Sequence, residues 1–389
     1  MKPFARGPSE TAHSGIREVV NVAITMPDAV RLEVGQPDFE TPEHIREATV
    51  RAVRDGLTKY TATAGLLSLR ELLVEKLATV NQIEVAPDQI NVTVGGVGGL
   101  AAALLALLEP DDEVLVPDPA WPNYRLQLST SPAQMVTYPL RAERGFVPEP
   151  EELESRITPS TKVLIINSPC NPTGAVFPRS VVRAIVELCE AHDIYLLSDE
   201  CYDEIVFQGE HVSPASLGND ERIISVFTFS KTYAMTGYRV GYVVANRELS
   251  DVMNKVLEGM MSCVTSFAQK GAEAALKGPR EPILRMLAAY KRRRDLVDRL
   301  LREFDMWTAT PQGAFYAMAD VSRSGLDART FAFELLEHEK VAVAPGTAFG
   351  RSADDLVRIS LASSESDLRE GIRRMHAFIE QLAGPASGD

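Results

Sequence analysis

The sequence predicts an α/β protein: a three-layer domain around a mostly parallel β-sheet, with a second, smaller α+β domain. Three observations indicate this class. Short β-branched runs alternate with helix-like stretches between about residues 45 and 280, and after about residue 285 the pattern changes to a long amphipathic helix and mixed short elements. A chain of 389 residues with 45 % hydrophobic content also exceeds the size at which one core usually keeps growing.

Six strand candidates lie in the first region. They are INVTV (90–94), EVLVPD (113–118), KVLIINS (162–168), IYLLSD (194–199), RIISVF (222–227) and RVGYVVA (239–245). Each is short and rich in β-branched or aliphatic residues. Because alternating strands and helices typically give parallel strands covered on both faces, residues 45–284 are predicted to form the large domain.

The remaining segments are assigned to the small domain. Residues 285–389 contain the amphipathic run LAAYKRRRDLVDRLLREF, then GAFYAMADV, a helix near 329–340, VAVAPGTAFG, LVRISLA and a closing helix from Glu365. The basic run Lys291–Arg294 is interpreted as a solvated helix face. Residues 1–44 are predicted to be an N-terminal arm and part of the small domain, and the tail AGPASGD is predicted to be disordered.

Charge and motif content argue against several functions. Forty basic and 54 acidic residues give a net charge of −14, which opposes attraction to nucleic acid or anionic lipid. The longest apolar run, Leu100–Leu108, is too short for a membrane span, and the N-terminus lacks the apolar core of a secretory signal, so a cytoplasmic protein is expected. Without C-x-x-C or H-E-x-x-H spacing, the four cysteines are expected to be reduced and mostly buried, and no metal site is expected.

Polar side chains follow the predicted strands where each one ends. Asp199 ends IYLLSD with Tyr202 three residues later, Asn171 follows KVLIINS, and Lys231 follows RIISVF. Because ligands of open α/β sheets bind outside the carboxyl ends of the strands, these side chains are predicted to converge at one edge. An amine together with a carboxylate suits pyridoxal phosphate, an aldehyde cofactor that forms a Schiff base and needs an acidic partner at its ring nitrogen.

The glycine-rich stretch GVGGLA, residues 96–101, has two interpretations. Its spacing, with Asp118 ending the next strand, fits a dinucleotide fingerprint. Both interpretations share a phosphate site, since glycines let the backbone approach and the helix at Leu100–Leu108 presents free N–H groups. Arg239 and the hydroxyl of Thr228 are predicted to bind the phosphate oxygens.

Longer motifs carry a resemblance to a known family. SPCNPTG, SDECYDEIVF, FTFSKTYAMTGYRVGY and VRISLA, with VGQPDF and KYTATAGLLSLR before them, resemble the class I/II pyridoxal-phosphate aminotransferases of fold type I. The match runs from about Ile16 to Phe378. The resemblance implies an enzyme of the EC 2.6.1 type, a homodimer, that moves an amino group between an L-amino acid and a 2-oxo acid by a ping-pong route.

The resemblance also implies roles for individual residues. Lys231 would form the Schiff base and later move the substrate proton, with Asp199 and Tyr202 as the other catalytic residues. Expected cofactor contacts are Asp199 at the pyridine nitrogen, Asn171 and Tyr202 at the phenolic oxygen, Trp121 on the ring, and Arg239, Thr228, Gly96 and Val97 at the phosphate, while Tyr60 would reach the phosphate of the neighbouring subunit. Expected substrate contacts are Arg358 at the α-carboxylate, Gly35, Asn171, Trp121 and Ile16. A cis peptide is expected at Asn171–Pro172.

The substrate is less well defined by the sequence. A donor with a second carboxylate needs a second cation, and the helix at 100–108 has none. This favours an aliphatic or aromatic amino acid with Ile16 and Val97 as wall residues, whereas Arg17 or an arginine of the partner subunit would reverse the preference. Carbon–sulfur β-elimination and cyclopropane-ring closure on the same fold stay open as alternatives, and a nicotinamide-dependent oxidoreductase is a remote one.

Overall fold

The computed structural model describes residues 4–218 and 221–383; residues 384–389, nearly all of the tail predicted to be disordered, lie outside them. The α-helices in these ranges are α1 (Arg6–Glu10), α2 (Gly15–Ala23), α3 (Glu43–Arg54), α4 (Leu67–Lys76), α5 (Gly95–Leu107), α6 (Asn123–Leu128), α7 (Pro150–Glu154), α8 (Arg179–Ala191), α9 (Arg247–Met261), α10 (Ser266–Lys277), α11 (Glu281–Glu303), α12 (Ala328–Glu339) and α13 (Glu365–Ala383). The strands are β1 (Val30–Arg31), β2 (Ile90–Val94), β3 (Glu113–Asp118), β4 (Gln134–Pro139), β5 (Thr161–Asn167), β6 (Tyr195–Asp199), β7 (Ile223–Thr228), β8 (Val240–Val244), β9 (Tyr316–Asp320), β10 (Val341–Ala342), β11 (Ala344–Pro345) and β12 (Leu356–Ser360).

A seven-stranded sheet has the order β2-β8-β7-β6-β5-β3-β4. Strand β8 is antiparallel to both of its neighbours, and the other pairs are parallel, so the mostly parallel sheet is confirmed. All six predicted strands are present. The sequence reading missed β4, which lies at the sheet edge and is only partly buried, so its run of β-formers is weaker.

Alternate residues of β5 show the three layers. Val163 and Ile165 pack in one apolar cluster with α5 and α9, whereas Leu164 and Ile166 pack in another with α8. Successive side chains of a strand point to opposite faces, so a strand covered on both sides must be apolar throughout. The continuous run in KVLIINS is therefore explained by helices on both faces of the sheet.

A second, three-stranded antiparallel sheet has the order β11-β12-β9. Strand β1, near the N-terminus, pairs in parallel with β10, so the early segment contributes to the C-terminal part of the fold. Helices α12 and α13 pack on these elements, and α11 packs on α13 and β9. The domain limits at residues 45 and 285 stay a prediction.

The interpretation of the basic run in α11 is wrong for two of its four residues. Lys291 and Arg292 are exposed, but Arg293 and Arg294 are only 8 % and 6 % exposed. Helical spacing explains the difference, because positions three and four residues after the buried Tyr290 lie on the same face of the helix. Buried guanidinium groups need partners, and both have them.

Two further sequence expectations concern the cysteines and membrane association. The four cysteines are free; Cys170 and Cys189 are buried, whereas Cys201 and Cys263 are partly exposed. Across residues 4–218 and 221–383, no helix combines the length and apolar character needed to cross a bilayer.

Candidate active site

A cavity of about 250 Å³ lies at the carboxyl ends of β5 and β6, beneath the small sheet. Eight of the predicted site residues line it: Ile16, Gly35, Trp121, Asn171, Asp199, Tyr202, Lys231 and Arg358. Three other residues, which the sequence reading did not select, line the same cavity: Asn167, Cys201 and Tyr316. The predicted convergence of strand ends is therefore observed, together with contributions from the N-terminal arm and from β12.

Asp199 is a buried carboxylate at the edge of the sheet where the cavity lies. It ends β6, is 3 % exposed, and accepts hydrogen bonds from the Tyr124 hydroxyl at 2.6 Å and from the backbone N–H of Cys201 at 3.2 Å. Burial raises its pKa, and the hydrogen bonds from Cys201 and Tyr124 only partly oppose that shift. No lysine or arginine in the described ranges pairs with this carboxylate, so a cationic ring N–H would stabilise its charged form.

The lysine side chain enters the cavity from the turn after β7. Lys231 Nζ donates a hydrogen bond to the carbonyl oxygen of Gly35 at 2.8 Å, and it lies 5.8 Å and 5.7 Å from the ring centroids of Tyr202 and Phe315. Its partner is thus a neutral backbone oxygen of the N-terminal segment. An amine held in this way is available to an incoming aldehyde.

Asn167, at the end of β5, ties the neighbouring strand ends together. Its Oδ1 accepts from the backbone N–H of Asn171 at 2.7 Å, and its Nδ2 donates to the carbonyl oxygen of Asp199 at 2.9 Å. The Asn171–Pro172 peptide is cis, as the resemblance implied. The Tyr202 hydroxyl lies 2.9 Å from the hydroxyl of Tyr316, so the phenol reaches the small sheet.

Arg358 is a buried cation at the opposite side of the cavity. It is 2 % exposed, donates from Nη1 to Asn171 Oδ1 at 2.9 Å and from Nη2 to the carbonyl oxygen of Glu33 at 2.7 Å, and stacks with Cζ 4.3 Å from the Tyr316 ring centroid. Its Nε has no hydrogen-bond partner among the described residues, and burial lowers its pKa. Its hydrogen-bond partners in the described part of the chain are neutral, and the Glu33 carboxylate acts on it only through space, so a ligand carboxylate would supply a direct anionic partner.

The glycine turn differs from its predicted form. Helix α5 begins at Gly95 rather than Leu100, so the glycines are its first turns, and the free N–H groups belong to them. Gly95 has φ +65°, and a Cβ there would lie 2.7 Å from Arg239 Nη2; a Cβ on Gly96 would lie 2.7 Å from Cys201 Sγ. Side chains at these two positions would displace the arginine and the thiol, which explains the glycines.

Five predicted cofactor residues do not line this cavity. Arg239 is exposed, lies beside Gly95 in an adjoining open cleft of about 1010 Å³, and donates to the carbonyl oxygen of Thr236 at 3.0 Å. The Thr228 hydroxyl is buried and hydrogen-bonded to Ser230 at 2.9 Å. Gly96 and Val97 lie in the first turns of α5, which directly follows Val94, a residue that lines this cleft. Tyr60 is 91 % exposed, so within one chain it reaches no part of the site.

Five residues of the site were missed by the sequence reading. They are Tyr124, Asn167, Cys201, Tyr316 and Glu33. A strand-end criterion applied to KVLIINS would have found Asn167, and the spacing of AWPNY places Tyr124 near Trp121, whose ring meets it edge-on at 5.7 Å. No local signal exists for Tyr316 or for the backbone of Glu33, because each acts through contacts with distant residues.

The arrangement of a lysine, an unpaired carboxylate and a glycine-rich helix N-terminus on this fold is that of a pyridoxal-phosphate enzyme. The family model "Aminotransferase class I and II" matches residues 27–375, and the chain belongs to that family. It is therefore an aminotransferase of the EC 2.6.1 type with the type I fold, and enzymes of this class and fold use pyridoxal 5'-phosphate.

Individual relatives have differing substrates in their names. The chain is 41 % identical over 365 residues to a probable aspartate/prephenate aminotransferase of Aquifex aeolicus, with 91 % of this chain and 92 % of the relative covered. It is 38 % identical to an arginine–pyruvate transaminase of Pseudomonas aeruginosa, with 91 % of each covered. Its structure resembles that of the Thermus thermophilus aspartate aminotransferase with maleate, at a TM-score of 0.93, 38 % identity, and 97 % and 100 % coverage.

The residues present fit the cofactor. Asp199 lacks the cation that a pyridinium provides. Lys231 projects into the same cavity. Gly95 and Arg239 place a helix N-terminus beside a guanidinium, which suits a phosphate.

Proposed function

We propose that this aminotransferase transfers the amino group of an aliphatic or aromatic L-amino acid to a 2-oxo acid by a ping-pong route. The observation that supports it best is the pair of unpaired buried charges on one cavity, the Asp199 carboxylate and the Arg358 guanidinium. A cofactor with a protonated ring nitrogen and a substrate with an α-carboxylate neutralise both at once. Neither a neutral ligand nor a simple cation would do so.

Each residue then has a defined task. Bound pyridoxal phosphate supplies an electron sink when the substrate Cα loses its proton. Asp199 keeps the ring nitrogen protonated, with Tyr124 and the Cys201 N–H orienting its oxygens. Lys231 Nζ removes the proton from the Cα of the donor in the first half-reaction. In the second half-reaction it returns a proton to the Cα of the new amino acid. Arg358 orients the α-carboxylate by a bidentate contact.

The remaining cofactor roles in this proposal come from the family resemblance. Asn171 and Tyr202 bind the phenolic oxygen, and Trp121 covers the ring. Arg239 and Thr228, with the N–H groups of Gly96 and Val97, would hold the phosphate. Gly35 and Ile16 lie at the substrate.

The substrate preference is supported by what surrounds the cavity. Ile16 and Trp121 give it apolar walls, and helix α5 contains no cation. Arg17 is exposed and does not line the cavity. Because burying a second carboxylate without a partner is costly, dicarboxylic donors are disfavoured in the single chain.

We propose that the active form is a cytoplasmic homodimer. Tyr60 exposes 91 % of its surface, and the cleft beside Arg239 opens the phosphate end to solvent. A second subunit that covers this cleft with the segment around Tyr60 would complete the site. The four free cysteines are compatible with a reducing compartment. Sedimentation of the holoenzyme tests the dimer: a monomer with full activity would contradict it.

A half-reaction screen tests the substrate proposal. The holoenzyme is mixed with leucine, phenylalanine, aspartate or arginine without an oxo acid, and conversion of the cofactor spectrum is followed. We expect leucine or phenylalanine to react at least about 10-fold faster than aspartate, the discrimination that one apolar subsite supplies. A matched variant, Ile16→Lys, places a cation at an apolar wall of the cavity and should narrow the difference in rate between these donors and aspartate. Aspartate as the fastest donor of the unmodified enzyme would contradict the preference.

A further inference from the structure

Arg293, a buried residue from the basic run of α11, holds the partly exposed carboxylate of Asp38 with both of its terminal nitrogens. Nη1 and Nη2 donate to the two carboxylate oxygens of Asp38 at 2.8 Å and 2.7 Å. Nη1 also donates to the carbonyl oxygen of Leu361 at 3.1 Å. The guanidinium stacks 5.2 Å from the ring centroid of Phe39 and 5.7 Å from that of Tyr290. A planar fork held on several sides has little freedom to move.

The partners of Arg293 belong to the two backbone segments that build the Arg358 end of the cavity. Residues 33–38 carry the Glu33 carbonyl that accepts from Arg358, the Gly35 carbonyl that accepts from Lys231, and Asp38 itself. Leu361 follows β12, the strand that carries Arg358. The two segments are also joined directly, since the backbone N–H of Ser360 donates to the carbonyl oxygen of Leu32 at 2.7 Å.

We propose that Arg293 and Asp38 are positioning residues for the substrate carboxylate, which set the affinity for amino acid and oxo acid without touching either. The proposal rests on the role of Arg358 proposed above. The hydrogen bond to the Glu33 carbonyl sets the orientation of Nη2 of Arg358. The contact between Asp38 and Arg293 in turn fixes the backbone segment that carries Glu33. Releasing the Arg293–Asp38 fork would allow that segment, and with it the guanidinium of Arg358, to shift.

The same fork has no contact with the strand ends that would hold the cofactor. Asp199, Asn167 and Tyr124 lie on or beside the large sheet and bind one another. Two hydrogen bonds link the Arg358 end to proposed cofactor residues: Lys231 donates to the carbonyl oxygen of Gly35, and Arg358 donates to Asn171 Oδ1. Neither of them involves Asp199, the proposed partner of the ring nitrogen. Loss of the fork is therefore expected to change KM far more than kcat or cofactor affinity.

The chain provides a matched control at the next position. Arg294 is as buried as Arg293, but it donates to the carbonyl oxygen of Pro311 and to Asp295, both at 2.7 Å, and stacks 5.5 Å from the ring centroid of Phe207. None of these partners belongs to residues 33–38 or 358–361. Arg294→Lys therefore measures the general effect of replacing a buried arginine in α11.

The experiment compares Arg293→Lys, Asp38→Asn and their double variant with Arg294→Lys in the holoenzyme. A lysine keeps the charge but cannot fork, and a misplaced binding group commonly costs up to about 100-fold. We expect each single variant to raise KM for amino acid and for oxo acid by about 30-fold, with kcat within about 3-fold. The double variant should resemble the single ones, because both remove the same contact. Arg294→Lys should leave both KM values within about 2-fold.

A direct binding measurement separates positioning from catalysis. Calorimetry with 3-phenylpropanoate, an unreactive carboxylate, should show Kd raised in parallel with KM. Unchanged KM and Kd in Asp38→Asn, or a fall in kcat alone, would overturn the proposal. If Arg293→Lys does not fold, Asp38→Asn carries the test, since that side chain is partly exposed. Arg358→Lys separates a failure of this proposal from a failure of the proposed carboxylate site. If this variant also binds 3-phenylpropanoate normally, the assignment of Arg358 to the carboxylate is itself wrong.

Discussion

Each end of the cavity holds a buried ionisable group that forms no ion pair within residues 4–218 and 221–383, but the two ends are assembled differently. The Asp199 end is built from neighbouring parallel strands, and its linking amide, Asn167, lies 32 residues from Asp199. The Arg358 end joins β12 to the backbone of Glu33, 325 residues away in the chain. The first is a consequence of sheet topology, whereas the second depends on long-range contacts between the N-terminal segment, α11 and the small sheet.

This difference predicts different kinetic consequences. Damage at the Asp199 end should affect the chemical step and cofactor binding, because those groups act on the cofactor. Damage at the Arg358 end should affect substrate binding in both half-reactions. The following variants test that division, in order of decreasing effect.

Lys231→Ala should have the largest effect. Removing both the covalent attachment and the proton-transfer group is expected to lower the half-reaction rate by at least about 10⁴-fold. Stopped-flow absorbance with the preferred amino acid measures this rate, and Lys255→Ala, on the exposed side of α9, serves as a control. Near-normal turnover in Lys231→Ala would refute the assignment of the amine.

Arg358→Lys should come second and act mainly on KM. A lysine keeps the positive charge but loses the bidentate geometry, so an increase in KM of about 100-fold is expected for amino acid and oxo acid. Steady-state kinetics in both directions provide the measurement. If kcat falls while KM is unchanged, the division between the two ends of the cavity does not hold.

Tyr124→Phe should have a smaller effect, confined to the Asp199 end. It removes one hydrogen bond to a buried carboxylate, which typically contributes about 1.5–3 kcal/mol, so cofactor affinity should fall about 10- to 100-fold. Fluorescence titration of the cofactor-free protein with pyridoxal phosphate measures it. The KM of the saturated enzyme for its substrate should change little; a large increase would place Tyr124 at the substrate instead.

The pH dependence of stability should reveal the unpaired Asp199. Its folded-state pKa lies above the ordinary value of 3.8, mainly because of burial, so the folded protein retains this proton more readily than the unfolded chain. The cofactor-free protein should therefore lose stability relative to Asp199→Asn as pH rises from about 3.8 through the raised pKa. Thermal melts across that range test this, and saturating pyridoxal phosphate should reduce the loss. If the stability of the cofactor-free protein and that of Asp199→Asn changed with pH in the same way, the pKa of Asp199 would not be raised by its burial.

Much of the Asp199 end could be predicted from the sequence. The strands preceding Asp199, Asn171 and Lys231 are recognisable locally, and parallel strands bring their carboxyl ends to one edge whatever the rest of the chain does. The same reasoning located the glycines, although α5 starts five residues earlier than predicted because glycine is compatible with its first turn. The family resemblance then added Arg358, Trp121 and Gly35.

Other features were decided only by the tertiary structure. Arg293 and Arg294 sit in a run that is typical of a solvated face, yet both are buried, because packing of α11 turns that side toward Asp38 and Pro311. The contacts of Tyr316, and of the Glu33 carbonyl with Arg358, likewise have no local signature. Strand ends meet because parallel strands have a regular backbone arrangement, and the periodicity of the sequence predicts those strands. Contacts between residues that lie hundreds of positions apart form only in the folded chain, where buried charged groups must find partners.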